Sequence, residues 1–258
     1  MWFRLITVFP QLLAPLRDFG VVGRAVQSGL IDLGAIDLRD HAVDRHGSVD
    51  DRPYGGGAGM LLRPEPLLAA IGAAKEQFSA HPGAGADKPL VVAMTPQGRR
   101  LDQALVVELA QRSGLILLCG RYEGFDQRVL HSAVDLELSI GDYVISGGEL
   151  PALVLVDAVS RLLPGVLGNS ASPIDESHLE ALLDFPQYTR PEIHPAGTVP
   201  EPLLSGDHAR ISRWRRQQAL LATYRQRPDL LASVTLSEAD RALLQQALLA
   251  AAQREAEE

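Results

Sequence analysis

Apolar runs of strand length recur through the first two thirds of the chain and alternate with stretches of helical periodicity. Residues 2–9, 34–39, 89–94, 115–119 and 134–140 read as strands, the first of them interrupted by Arg4 and closed by Pro10. Residues 21–28, 66–78, 102–113 and 125–132 have helix length, and Asp102 and Gly114 stand where an N-cap and a C-terminal stop belong. Residues 151–163 form a further helical stretch, with proline in its first turn. This alternation predicts an α/β fold on a mainly parallel sheet. After Pro164 the texture changes. A small, polar, glycine-containing stretch leads to a segment with prolines at 186, 191, 195, 200 and 202, and residues 208–224 and 237–254 then read as helices. The expected organisation is an α/β domain over 1–167, an interdomain linker over 168–180 and a small helical domain over 181–258.

Composition adds bounds to this pattern. With 46% apolar and 22% charged residues in 258, the chain is neither disordered nor fibrous. Cys119 is the one cysteine, so no disulfide forms within the chain, and a reducing compartment, the cytoplasm, is expected. No run approaches the roughly 18 apolar residues of a membrane span. The net charge of −8 opposes general adhesion to nucleic acid or anionic lipid, and neither a membrane nor a DNA partner is expected. The total hides a local reversal. Residues 205–227 carry Arg210, Arg213, Arg215, Arg216, Arg225 and Arg227 against Asp207 alone. Only Lys75 and Lys88 are lysines, so the basic groups are almost all guanidiniums, the side chain suited to bidentate phosphate contact; a codon bias would produce the same preference.

Three glycine-containing loops follow three successive expected strands, the place where α/β proteins bind ligands. They are Thr95-Pro-Gln-Gly-Arg99, Gly120-Arg-Tyr-Glu-Gly124 and the stretch from Ser139 to Glu149. A fourth glycine cluster, Arg52-Pro-Tyr-Gly-Gly-Gly-Ala-Gly-Met60, is either an anion-binding nest, a loop that orders over a ligand or plain flexible chain. No P-loop, dinucleotide fingerprint or Gly-x-Ser-x-Gly elbow occurs, and no side chains have metal-ligand spacing. What remains is a ligand held by main chain, with chemistry done by carboxylate and arginine.

The strings Asp51-Arg-Pro-Tyr-Gly-Gly-Gly-Ala-Gly-Met60, Thr95-Pro-Gln-Gly-Arg99, Cys119-Gly-Arg-Tyr-Glu-Gly124, Ser139-Ile-Gly-Asp-Tyr-Val144, Ser146-Gly-Gly-Glu-Leu-Pro151, Pro164-Gly-Val-Leu-Gly168 and Tyr188-Thr-Arg-Pro191 occur in one order along nearly the whole chain. In that combination the chain resembles the bacterial tRNA (guanine-N1)-methyltransferases. The resemblance implies a SPOUT fold: a mainly parallel sheet with helices on both faces, a deep trefoil knot and a small C-terminal helical domain. It also implies a homodimer, S-adenosylmethionine bound in the knot, a magnesium requirement, and methylation of the guanine immediately 3′ of a tRNA anticodon, the modification that supports reading-frame maintenance. Carried over residue by residue, the donor site comprises Gly120 and the run Ile140, Gly141, Asp142, Tyr143, Val144 and Ile145. Thr95, Pro96, Gly98, Tyr122, Glu123, Gly124, Gly147, Gly148 and Pro151 adjoin it. Glu123 is a candidate for holding magnesium or orienting the donor, or else a solvated carboxylate.

The reaction itself calls for two further groups. A sulfonium donor already has a good leaving group, so the protein must align the acceptor and make it nucleophilic. Guanine N1 carries a proton that a carboxylate must take, and a cation should stabilise charge developing on O6. The base is expected to be flipped into the pocket. By resemblance the cation is Arg161, which from spacing alone would be half of an i, i+4 surface pair with Asp157. The base is Glu176, where the family commonly has aspartate, or its neighbour Asp175. Arg210, Arg213, Arg215 and Arg216 are expected to grip the anticodon stem, with Ile211, Trp214 and Leu221 packing on the other side of their helix. The rivals are a related knotted methyltransferase acting on ribosomal RNA and a non-catalytic RNA-binding dimer.

Overall fold

Leucine- and isoleucine-rich strands buried on both faces suit a parallel sheet covered by helices on each side. In the computed structural model, which describes residues 1–84, 87–167 and 182–255, the chain divides into two compact units, Met1–Ser170 and Ala171–Glu258.

The first unit runs β1 (Trp2–Thr7), α1 (Ala14–Asp18), α2 (Gly20–Gln27), β2 (Asp32–Asp37), β3 (Asp50–Asp51), β4 (Leu61–Leu62), α3 (Pro64–Ser79), β5 (Leu90–Arg100), α4 (Gln103–Ala110), β6 (Gly114–Cys119), α5 (Gln127–Ala133), β7 (Leu136–Ser139) and α6 (Glu149–Arg161). Its five-stranded sheet has the order β2-β1-β6-β5-β7, and every pairing is parallel. Alternate side chains of each strand enter opposite layers. Phe3, Leu5, Leu117 and Cys119 pack with residues of α2, α4 and α6, while Trp2, Ile6, Ile116 and Leu118 pack with residues of α3 and α5. All six residues of β6 are buried, as a central strand of such a sheet requires. The predicted α/β architecture, helices on both faces included, is therefore present.

Two differences from the expected elements have physical causes. Strand β2 starts at Asp32, earlier than the apolar run suggests, because Arg4 on the adjacent strand holds Asp32 with Nη1 2.8 Å from Oδ1 and Nη2 3.3 Å from Oδ2. Paired charges continue a strand that hydropathy alone would end. The second difference is that Thr95–Arg99 is not a separate loop: β5 continues through it to Arg100. Met94 and Arg99 both register with Leu138 on β7, so the residues between them bulge out of the ladder. Pro96, without an N–H to donate, is tolerated there. Gly98 is required by the close approach of β7, since a Cβ on it would lie 2.3 Å from Leu138 N.

The second unit contains the hairpin of β8 (Ile193–His194) and β9 (Gly197–Thr198), then α7 (Glu201–Leu204), α8 (His208–Gln226), α9 (Pro228–Ala232) and α10 (Glu238–Glu255). Asp207 caps α8 by accepting from the Ala209 and Arg210 N–H groups at 2.9 and 3.2 Å. The buried face of α8 is Ala219, Leu220 and Thr223 rather than the expected Ile211, Trp214 and Leu221, which are only half-buried.

Leu117, fully buried at the centre of the sheet, is expected to cost about 2–5 kcal/mol when replaced by alanine, read as a lower urea midpoint at unchanged slope. Arg4's hydrogen bond, ahead of its charge, holds the Asp32 carboxyl below its ordinary range, against the opposing effect of burial. That contribution is present at neutral pH and is lost as pH falls through about 4 and below. Asp32→Asn should therefore flatten the acid limb of a stability-against-pH curve.

Candidate functional site

Because β5, β6 and β7 run the same way, the segments at their C-terminal ends open on one edge of the sheet, and between them lies a cavity of about 250 Å³. Its walls come from the bulge of β5, from residues 120–125 after β6, and from residues 138–140 and 143–148 plus Pro151 at the start of α6. Thr95, Pro96, Gly120, Tyr122, Glu123, Gly124, Ile140, Tyr143, Val144, Ile145, Gly147, Gly148 and Pro151 all line it. Gly141 and Asp142 of the expected donor run and the adjoining Gly98 do not: Gly98 supports the bulge, Asp142 is exposed, and Gly141 sits at φ +155° with its carbonyl accepting from Tyr143 N–H at 2.9 Å. Met94, Gln97, Arg121, Phe125, Leu138, Ser139 and Ser146 also line the cavity. Most of these stood inside the strings that carried the resemblance; their own side chains offered no separate signal.

Close main-chain packing shapes the cavity floor. Gly148 N–H donates to the Gly120 carbonyl at 2.8 Å, joining the loop after β7 to the end of β6. A Cβ on Gly148 would lie 2.7 Å from Gly120 N and 2.8 Å from the Cys119 Cα, so any larger residue forces the two segments apart. Tyr122 adopts a left-handed conformation at φ +59°, an uncommon state for a non-glycine residue. Cys119 is buried, and burial followed by the charge of Glu149 pushes its thiol pKa well up, against the opposing pull of Arg121. It is therefore a neutral core residue and no nucleophile.

The charged centre at the cavity wall is a pair, Arg121 and Glu149, that sequence reasoning did not single out. Glu149, the first residue of α6, is 1% exposed. Its Oε1 accepts from Thr7 Oγ1 at 2.6 Å and from Arg121 Nε at 3.1 Å, while Arg121 Nη2 lies 2.8 Å from Oε2. Arg121 also donates through Nη1 to the Ser146 carbonyl at 3.2 Å, and its guanidinium stacks 4.5 Å from the Phe9 ring centre. Removing one member of a buried ion pair typically costs about 3–5 kcal/mol. Hydropathy could not have found Glu149, since a glutamate at the start of a helix reads as solvent-exposed.

The glycine cluster at 52–60 spans the turn between β3 and β4. Beyond it the chain is zipped to the cavity wall: Glu123 N–H donates to the Met60 carbonyl at 2.9 Å and Leu62 N–H to the Gly124 carbonyl at 2.9 Å. A Cβ on Gly59 would lie 2.4 Å from Glu123 Oε1. Arg161 closes the last turn of α6. Asp175, Glu176 and the whole expected linker 168–180 lie outside the described residues.

The sequence profile of the family described as "tRNA (Guanine-1)-methyltransferase TrmD" matches residues 1–233. The chain belongs to that family. Proteins named tRNA (guanine-N(1)-)-methyltransferase from Proteus mirabilis, Klebsiella pneumoniae and Escherichia coli K12 are 50%, 52% and 52% identical to it over 244, 246 and 244 residues. Those alignments cover 95% of this chain and 95%, 94% and 93% of the respective relatives.

A methyltransferase of the TrmD family implies S-adenosylmethionine as methyl donor, and the cavity suits such a ligand. It has apolar walls at Met94, Phe125, Leu138 and Ile140 and a glycine floor that leaves main chain accessible. Magnesium finds no protein cage: among the described residues no three His, Cys, Asp or Glu side chains come together. Glu123 is exposed, a single carboxylate of the sort that holds magnesium only with water and substrate oxygens.

The arginines of α8 do not form one free stripe. Arg216 faces the packed side, with Nε 2.8 Å and Nη2 3.1 Å from the two carboxylate oxygens of Asp240 on α10, and it holds that carboxyl below its ordinary range. Arg210 pairs with Glu201, Arg213 reaches Gln246 at 3.4 Å and Arg215 stacks 4.8 Å from the Phe185 ring centre. Reading these arginines from their own helix alone leaves out the neighbouring α10, whose Asp240 recruits Arg216.

Gly148→Ala should widen the gap between the loop after β7 and the end of β6. The expected result is a lower unfolding midpoint and loss of S-adenosylmethionine binding by calorimetry, with Gly72→Ala on α3, where a Cβ meets open space, as the silent control.

Proposed function

We propose that this chain transfers the methyl group of S-adenosylmethionine to N1 of the guanine immediately 3′ of a tRNA anticodon, in the cytoplasm, and thereby supports reading-frame maintenance. The tRNA (guanine-N1)-methyltransferase activity follows from membership of the family; the anticodon-adjacent target is the finer reading. The observation that carries the methyl-transfer reading is the cavity at the ends of β5, β6 and β7, lined almost throughout by the main-chain loops expected to cradle the donor.

In this reading the bound donor supplies an electrophilic methyl group on a good leaving group, and the chain's own residues do the rest. The loops 120–124 and 140–148 hold the donor. Glu176 or Asp175 takes the proton from guanine N1, and Arg161 stabilises the charge that develops on O6. Glu123 orients the donor or shares a magnesium ion. The trefoil knot is supported by the course of the chain: after β7 the loop ties to the end of β6 through Gly148, and α6 then packs against α2, α4, β1, β5 and β6.

A homodimer is supported by apolar surface beside the cavity. Tyr143 and Val144 are 57% and 81% exposed, and Leu150 and Val154, one turn apart on α6, are 57% and 49% exposed. Large apolar side chains left this exposed are candidates for burial against a second copy of the chain. No helix among the described residues is long and apolar enough to cross a membrane. The second unit is assigned the grip on the anticodon stem, through Arg210, Arg213 and Arg215 more than through the structurally engaged Arg216.

The deciding experiment is mass spectrometry of an unmodified tRNA after incubation with the protein, magnesium and isotopically labelled donor. One labelled methyl on the guanine 3′ of the anticodon is expected; no label, or label on another nucleotide, would sink the reading. Glu176→Gln or Asp175→Asn should abolish turnover with donor affinity intact, and wild-type rates in both would reassign the base. Arg161→Ala should lower kcat far more than donor affinity. Arg210→Ala with Arg213→Ala should weaken tRNA binding and reduce the salt slope by roughly 1.5 to 2, measured by filter binding across a salt series.

A further inference from the structure

We propose that Arg121 and Glu149 are positioning residues for methyl transfer: the pair of buried Glu149 with half-buried Arg121 sets the donor pocket by fixing the Ser146 carbonyl and the loop around it. The inference rests on the reading that the cavity beside β5–β7 receives the donor.

Three observations converge on this pair. Residues 142–146 are all exposed, and the bond from Arg121 Nη1 to the Ser146 carbonyl ties that stretch back to the end of β6. A Cβ on Gly147 would lie 2.4 Å from Arg121 Nε, so the loop rests directly on the guanidinium. The guanidinium is itself immobilised: Glu149 engages it from the start of α6, and Phe9 covers it. Glu149 is in turn pinned by Thr7 Oγ1, whose oxygen also accepts from the Phe9 N–H at 2.9 Å. The ends of β1 and β6 and the start of α6 thus meet at one charge pair, and the donor loop is the part of that junction facing the cavity.

Stability alone does not require this arrangement, since a buried ion pair is often replaceable by apolar groups of similar volume with little loss. A guanidinium supplies what an apolar group or an ammonium lacks. Its planar fork engages both carboxylate oxygens and still presents a further N–H to a carbonyl in a fixed direction.

Two variants separate positioning from scaffolding. Arg121→Lys keeps a cation beside Glu149 but cannot span the carboxylate and Ser146 together. Arg121→Met with Glu149→Leu removes the pair in favour of apolar packing. Thermal unfolding without ligand, calorimetric affinity for S-adenosylmethionine and S-adenosylhomocysteine, and steady-state kinetics are measured for each. Folded variants are expected to bind both ligands about tenfold or more weakly, because a small displacement of a contact group is costly. Donor KM should rise in parallel, with kcat at saturating donor falling much less. Wild-type affinity in a folded variant overturns the proposal, as does a kcat loss at unchanged affinity. If the apolar pair fails to fold, Arg121→Lys decides alone. Ile140→Trp, which fills the cavity, tests the underlying reading separately. Donor binding that survives it removes the pocket assignment, whereas binding lost in Ile140→Trp but intact in Arg121→Lys removes only the positioning role.

Discussion

Five strands running in one direction impose the constraint on which the site depends. Parallel pairing of β5 with β6 and with β7 brings their carboxyl ends to a single edge. Whatever follows those ends must share the space outside that edge. Three segments far apart along the chain, near residues 96, 122 and 144, consequently wall one cavity. Their side chains need little chemistry of their own, because the geometry delivers main chain from three directions. Glycine at 147 and 148 then follows from crowding, with the Arg121 side chain and the end of β6 lying where a Cβ would go.

Beneath that edge lies a second constraint, electrostatic in kind. A carboxylate without water must be compensated by charge and hydrogen bonds. Thr7 and Arg121 do this for Glu149 from two different strand ends. The compensation couples the cavity to the core: the helix whose first residue is Glu149 continues through buried Leu155, Val156 and Val159 to Arg161. The loop that walls the cavity and the proposed O6 partner are therefore attached to opposite ends of one helix held in the apolar layer.

The second unit uses arginine differently from its apparent pattern. A run of guanidiniums between 210 and 216 suggests one electropositive face, yet α10 supplies Asp240 opposite Arg216 and α7 supplies Glu201 opposite Arg210. Part of the local charge reversal is thus spent on holding helices together. Such division cannot be read from helical spacing, because spacing says which residues share a face and not what lies across from it.

Hydrophobic periodicity determined the α/β class, the five principal strands, the principal helices to within a few residues and the order of the glycine segments, since burial demands follow from local sequence. The ordered motifs determined the family, and with it the donor. Tertiary structure alone decided that 95–99 is a bulge within β5, that β2 begins at a charged residue, that α8 packs through Leu220 and Thr223, and that Glu149 is buried. Each of these turns on a partner distant along the chain: β7 for the bulge, Arg4 for Asp32, α10 and Leu183 for α8, Thr7 and Arg121 for Glu149. A polar residue's local sequence does not say whether a compensating group will arrive from elsewhere, and that arrival decides whether it is buried or left in water.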